Sequence, residues 1–286
     1  MAVWKSGEKP VAVIGNNGLV GRALVKKLLE RGYIVRSAIG SSPDEAAEMM
    51  ALPGAEERLK LMVRDLLDYA NILTVIEGCS SVFLTIPSCD GLNGQLDYPA
   101  EAVDAEVRGT LNVVEACANS SIKRMVLTSS ASAVVFDINT KTDSLKSVDE
   151  RNWSNVDFLR KNKLWSALAK TVAEKAAWSL ARDRGLDLVV MNPAIVTGPN
   201  PKISEGQHSG VLAVARVDVV AAAHIDAAES SQASGRYLCF ERLLSDDEAL
   251  ELMKKLFPTL SHKRLQESYS PLRLSNEKLM RLGLTS

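Results

Sequence analysis

The chain has 286 residues, 46% of them apolar and 24% charged, with a formal net charge of −1. Charges of both signs are interspersed, which leaves no basic face for nucleic acid and no charged tail, and no apolar run is long enough to cross a bilayer. The length lies near the upper limit of a single hydrophobic core and predicts one large unit with a minor C-terminal lobe. Cys79, Cys89, Cys117 and Cys239 form no Cys-x-x-Cys pair and the first residues carry no secretory pattern, so reduced thiols in the cytoplasm are expected.

Short apolar runs alternate with longer amphipathic ones from Pro10 to Asn192. Residues 11–14 read as a buried strand, 15–21 as a turn and 19–31 as a helix. A second strand is expected at 33–39, a helix around 44–51, a third strand at 59–64 and a helix at 69–77. Further strands are read at 82–85, 124–128 and 188–191, with helices at 100–119 and 158–184. Strands alternating with helices predict an α/β fold with a doubly wound parallel sheet covered on both faces, a Rossmann arrangement. After Pro193 the text changes: a Pro/Gly/Ser-rich loop at 199–210, an Ala-rich helix at 217–229, a strand at 236–240, and helices at 246–256 and 276–282. The division drawn from this is a dinucleotide-binding Rossmann domain over 1–192 and a small α/β substrate-binding lobe over 193–286, packed on the same core.

Gly15-Asn16-Asn17-Gly18-Leu19-Val20-Gly21 follows the first strand and opens the first helix. Any strand-to-helix turn can carry glycine, but this context is the one a dinucleotide needs. Glycine allows a tight turn and close approach to pyrophosphate, and the helix N-terminus presents free N–H groups. No Asp or Glu ends the second strand to bind a free ribose 2′-hydroxyl. Arg36, Ser41 and Ser42 therefore favour NADP(H) over NAD(H), with a solvated strand-end charge as the alternative for Arg36. Asp65, followed by Leu66, comes after the third strand, where its carboxylate would accept from an adenine amino group, cap the next helix, or do both. Thr128-Ser129-Ser130 ends the fifth strand, at the carboxyl edge where such sheets bind ligands. Ser166 and Lys170 stand four apart and share a helix face. An isolated helix lysine is ordinarily exposed, but the small apolar run at 167–177 predicts a packed helix. His208 and His224 lack ligand-like partners and read as structural, and Trp153, Trp165 and Trp178 as core or pocket wall.

Taken together, Gly15 to Gly21, Leu29-Glu30-Arg31-Gly32-Tyr33, Gly109-Thr110-Leu111-Asn112-Val113, Thr128-Ser129-Ser130-Ala131, Ala173-Glu174-Lys175-Ala176-Ala177-Trp178, Asn192-Pro193 with Gly198-Pro199, Ser234-Gly235-Arg236-Tyr237-Leu238-Cys239 and Lys278-Leu279-Met280-Arg281-Leu282-Gly283 resemble the extended short-chain dehydrogenase/reductase family. The resemblance is to its plant cinnamoyl-CoA reductase and dihydroflavonol reductase branch, and it covers almost the whole chain. It implies reduction of aldehyde, ketone or CoA-thioester groups with NADPH. Ser130 matches the serine that polarises the carbonyl, and Lys170 the lysine that holds the nicotinamide ribose. Pro193, Ala194 and Ile195 match the segment that positions the nicotinamide amide, and Thr85, Ile86 and Pro87 the stretch lining its side.

Three departures stand out. Ser166 occupies the position of the catalytic tyrosine, with Ala169 where relatives often carry serine. Gly40 replaces the arginine that reads the 2′-phosphate. The stretch between Pro199 and Val217, where relatives build part of the substrate pocket, is short. The combination resembles a divergent cinnamoyl-CoA reductase-like subgroup that lacks the tyrosine. The expectation is a weak or atypical reductase of a small aromatic or CoA-ester substrate, with Ser130, Lys170 and Ser166 as its reacting side chains. The alternatives are a non-catalytic dinucleotide-binding sensor or interaction protein, and a different sugar-nucleotide or carbonyl chemistry on the same fold.

Overall fold

Strands of four to seven residues, mostly apolar and buried almost throughout, form the centre of the protein because both of their faces are covered. The computed structural model describes residues 9–15, 18–39, 43–63, 67–86, 98–136, 147–198, 212–245, 247–248, 251 and 273–283. In chain order the first elements are β1 (Val11–Ile14), α1 (Leu19–Glu30), β2 (Val35–Ile39), α2 (Pro43–Met50), α3 (Ala55–Arg58), β3 (Leu59–Val63), α4 (Tyr69–Ile76), β4 (Ser81–Leu84), α5 (Ala102–Ala118) and β5 (Arg124–Thr128). A short 3-10 turn at Ala131–Ala133 follows, then β6 (Ser147–Val148), α6 (Val156–Lys161), α7 (Trp165–Arg184), β7 (Asp187–Pro193), β8 (Ile195–Thr197), β9 (Leu212–Arg216) and α8 (Val217–Glu229). The last are β10 (Gly235–Cys239), β11 (Arg242–Leu244), β12 (Arg273–Leu274) and α9 (Glu277–Arg281).

Seven strands pair in parallel in the order β3-β2-β1-β4-β5-β7-β10. The strand order reverses between β1 and β4, and the crevice outside the carboxyl ends at that point is where doubly wound sheets take ligands. Alternation along the strands divides the core in two. Val11, Val13, Val126, Val189 and Met191 pack with α1 and α8 on one face. Ala12, Ile14, Met125, Leu127, Leu188 and Val190 pack with α4, α5 and α7 on the other. Helix α1 buries Gly21, Leu24, Val25, Leu28 and Leu29, the i, i+3, i+4, i+7, i+8 stripe of an amphipathic helix. Among the described residues no helix is long and apolar enough to cross a membrane.

Two expectations are corrected by the architecture. The single helix read over 158–184 is two helices. Lys163 adopts a left-handed conformation with φ of 55°, and the Leu164 N–H turns back to Leu159 O at 2.9 Å, which ends α6 before α7 begins. The division at residue 193 also fails to follow the sheet. Helix α8 packs on α1, and β10 is the seventh strand, hydrogen-bonded to β7. Only β8, β9 and β11 form a separate three-stranded sheet, and β6 pairs with β12 in a two-stranded one.

Polar links fix α8 against β5. Arg124, with a side chain 5% exposed, donates to Asp187 Oδ2 at 2.8 Å and to Ala227 O at 2.8 Å, and also reaches Ser230 O at the C-terminal end of α8. Deeper in, His224 donates from Nδ1 to Val220 O at 2.7 Å and accepts the Thr128 hydroxyl on Nε2 at 2.8 Å. Burial lowers its pKa from 6.5 to about 4. Above pH 6.5 the ring is neutral in folded and unfolded chains alike and contributes no pH dependence. Below 6.5 the unfolded chain takes up a proton that the folded ring refuses, so stability falls until the folded ring titrates near pH 4. The expected loss across that window is about 3 kcal/mol. Urea unfolding of the native protein and of His224→Gln over this range should diverge as the pH drops; parallel curves would show that His224 is not the titrating group.

Candidate active site

The first turn is built by close approach. Gly15 has φ of +86°, and a Cβ there would lie 2.4 Å from Thr85 O. Glycine is therefore required twice, for its backbone conformation and for the room it leaves the end of β4. Thr85 returns the contact: its N–H donates to Ile14 O at 2.8 Å and its hydroxyl to Gly15 O at 2.7 Å. Gly18 is the N-cap of α1, and among the described residues no side chain caps the helix. The N–H groups of Leu19, Val20 and Gly21 precede the first intrahelical bond, from Arg22 N–H to Gly18 O at 3.1 Å. Intrahelical bonds leave them as donors of the kind an anionic group can satisfy. Asn17, Asp65 and Leu66, also expected here, lie outside the described residues, as do Pro87 and residues 40–42.

Arg36 is not where it was expected to act. It is the second residue of β2, level with Ala12 and Lys60, near the amino end of the strand rather than the carboxyl edge. Its guanidinium donates to Glu77 O, the C-cap of α4. Three residues of strand, about 10 Å, separate it from the end of β2, and in this position its guanidinium caps α4. Sequence reasoning overlooked Arg22 instead, which reaches from α1 to Glu45 at 3.2 Å and to Glu48, fastening α2 beside the glycine turn.

Helix α7 carries Ser166 in its first turn and Lys170 one turn later. Ser166 is half-buried and its hydroxyl has no partner among the described residues. Lys170 is buried, donating to Ile86 O at 2.8 Å and pairing with Glu106 Oε1 at 3.0 Å. Tyr98 Oη lies 2.8 Å from the other oxygen of Glu106. The pairing is possible because α7 turns Ala169, Ala173, Ala177 and Ala181 inward, small residues that let α5 approach closely. Glu106 and Tyr98 were not foreseen. The available signal was a carboxylate on the apolar stripe of α5, with Gly109, Thr110, Val113 and Cys117.

At the end of β5 the two serines separate. Ser129 is buried and donates to Glu174 Oε2 at 2.6 Å. The same carboxylate accepts Asn192 Nδ2 at 2.8 Å and Arg236 Nε at 2.6 Å, and Arg236 stacks 3.6 Å over the Trp153 ring. Ser129 is committed to this buried network. Ser130 is half-buried; its Oγ accepts the Ser132 N–H at 3.1 Å, which leaves its own O–H to donate. Pro193 closes β7 in a buried position and Ile195, half-buried, opens β8. Trp153 and Trp178 line a cleft of about 470 Å³ with Lys175, Arg182 and Arg236, away from Lys170, whereas Trp165 packs with Leu159 and Leu168.

The geometry thus gathers Gly15, Thr85, Ile86 and Lys170 through direct hydrogen bonds, with Ser130 ending the strand next to β4. Residues 11–225 match the family described as the NAD dependent epimerase/dehydratase family. The chain is 38% identical over 296 residues to cinnamoyl-CoA reductase 1 of Petunia hybrida, covering 96% of this chain and 86% of that one. It is 32% identical over 296 residues to tetraketide alpha-pyrone reductase 1 of Arabidopsis thaliana, covering 96% and 90%. Among solved structures, vestitone reductase from alfalfa (Medicago sativa L.) superposes with a TM-score of 0.73 at 32% identity, covering 97% of this chain and 93% of that one. The chain belongs to the NAD dependent epimerase/dehydratase family, among the short-chain reductases related to cinnamoyl-CoA reductase.

Proposed function

We infer that the protein is an NADP(H)-dependent reductase of a carbonyl or CoA-thioester group on a small aromatic substrate, slow because residue 166 is a serine. The observation that carries this reading is the buried Lys170 ammonium bonded to Ile86 O, where β4 ends beside the Gly15–Thr85 contact. The first-turn N–H groups of α1 and the absence of a capping side chain fit a pyrophosphate. Lys170 suits the ribose hydroxyls, and Pro193 with Ile195 the nicotinamide amide. A bound reduced nicotinamide supplies a hydride. Ser130 donates its O–H to the substrate oxygen as negative charge develops there, the role of an oxyanion donor. Ser166 orders a water beside that oxygen, and the proton comes through it. An alkyl hydroxyl is a far weaker acid than a phenol, so positioning and electrostatics survive while general acid catalysis is largely lost.

The preference for NADP(H) rests on the end of β2, where Ile39-Gly40-Ser41-Ser42 offers hydroxyls and no carboxylate. Reduced thiols, Cys79, Cys117 and Cys239 all buried and free, support a cytoplasmic setting. A second reading follows from Ser166 itself: with the Gly15 turn and the buried Lys170 in place, and a serine rather than a phenol one turn before Lys170 on α7, the chain would serve as a dinucleotide-binding sensor or interaction protein.

Fluorescence titration with NADPH and NADH, followed by oxidation assays with hydroxycinnamoyl-CoAs, aldehydes and ketones, distinguishes these readings. Ser166→Tyr is expected to raise kcat by about 10²-fold or more, within the usual contribution of general acid catalysis, at similar dinucleotide affinity. Binding without turnover in both proteins would leave the sensor reading. Ser130→Ala is expected to lower kcat about 10²-fold with KM little changed, as for other oxyanion donors. NADPH should bind more tightly than NADH, and Gly40→Asp should reverse that order; an unchanged order would remove the end of β2 as the determinant.

A further inference from the structure

Lys170 would be an unpaired buried cation without Glu106. The lysine side chain is 2% exposed and that of Glu106 is 5% exposed, with 3.0 Å between ammonium and carboxylate. The second carboxylate oxygen is 2.8 Å from Tyr98 Oη, which also lies 3.2 Å from Ala102 O; the carboxylate is the nearer acceptor. A chain of polar contacts thus runs from a half-buried phenol, through a carboxylate on α5, to an ammonium on α7 and on to Ile86 O. Burial penalises an ammonium, and an opposite charge within about 4 Å offsets that penalty. Residue 166, one turn earlier on α7, contributes only a hydroxyl that bonds to nothing described.

We propose that Glu106 is the positioning residue that holds the Lys170 ammonium at the carboxyl edge of β4, with Tyr98 fixing the carboxylate. The ammonium is thereby held ready for the ribose hydroxyls of a dinucleotide without help from a tyrosine at 166. This rests on the reading of Lys170 as a dinucleotide ligand, and two measurements keep the parts separate. In the ligand-free protein, acetylation by acetic anhydride at pH 8, read by peptide mass spectrometry against exposed lysines, reports how firmly the Lys170 side chain is held in its buried pair. Lys170 in Glu106→Gln is expected to label about tenfold faster than in the native protein, because the pair that holds it is broken, Tyr98→Phe to fall between, and Glu106→Asp, which keeps the charge, to stay near the native rate. Equal rates in Glu106→Gln and the native protein overturn the proposal. So does a rate raised equally in Glu106→Asp, which would report loosened packing. In the second measurement, NADPH is titrated by fluorescence against each variant. The affinity of Glu106→Gln is expected to be about tenfold weaker than that of the native protein, with Glu106→Asp close to native. Equal affinities in Glu106→Gln and the native protein would overturn the link to the dinucleotide. Native protein that fails to bind NADPH at all, with the labelling result intact, would refute the dinucleotide reading and leave the hold of Glu106 on Lys170 standing.

Discussion

A charge taken out of water inside a sheet covered by helices must find its opposite within the fold. Isolated burial costs several kcal/mol, and breaking a buried pair typically costs about 3–5 kcal/mol. Two such pairs and one buried cation govern how this molecule is put together. Glu174, fully buried, gathers Arg236, Asn192 and Ser129, and so ties α7 to β10, β7 and the end of β5. Arg124 ties the start of β5 to the last carbonyls of α8. Lys170 and Glu106 join α7 to α5. Apolar packing supplies most of the driving force, yet it is non-directional; these polar links select which helix lies over which strand and at what height.

The candidate site follows from those placements. The Gly15–Thr85 contact fixes β1 against the end of β4, and the alanine face of α7 brings Lys170 down onto the next residue, Ile86. The described part of the candidate nucleotide side is assembled from strand ends and buried bonds. The candidate reacting side is different in kind. Ser130 and Ser166 are both half-buried hydroxyls with protons uncommitted to the described protein, and no phenol accompanies them on α7. One half of the site is therefore preorganised by the fold, while the other depends on what small hydroxyls and water can do.

Much of the fold was legible because its causes are local. β1, β4 and β5 are apolar runs bounded by turn residues, and α1 and α5 carry helical stripes, so their existence follows from periodicity. The break at Lys163 has no local signal, because lysine is not a residue that favours a left-handed turn. The height of Arg36 was hidden for a related reason. Sequence places an arginine on a strand, but its height in the sheet depends on where pairing with β1 begins, and the register set it level with Ala12.

Residue type and spacing carried the layered α/β architecture, the glycine turn and the family, and they put a serine at residue 166 four positions before Lys170. Only the tertiary structure decided that Ser129 is committed while Ser130 is not, that Arg36 caps a helix, and that β10 and α8 return to the main sheet. It alone gave Lys170 its partners, since Ile86 and Glu106 lie in segments far from it in the chain, and their meeting depends on how closely two helices pack. Contacts between residues far apart in the chain carry no local signal, and the buried charges that demand them reveal their partners only once the helices are in place.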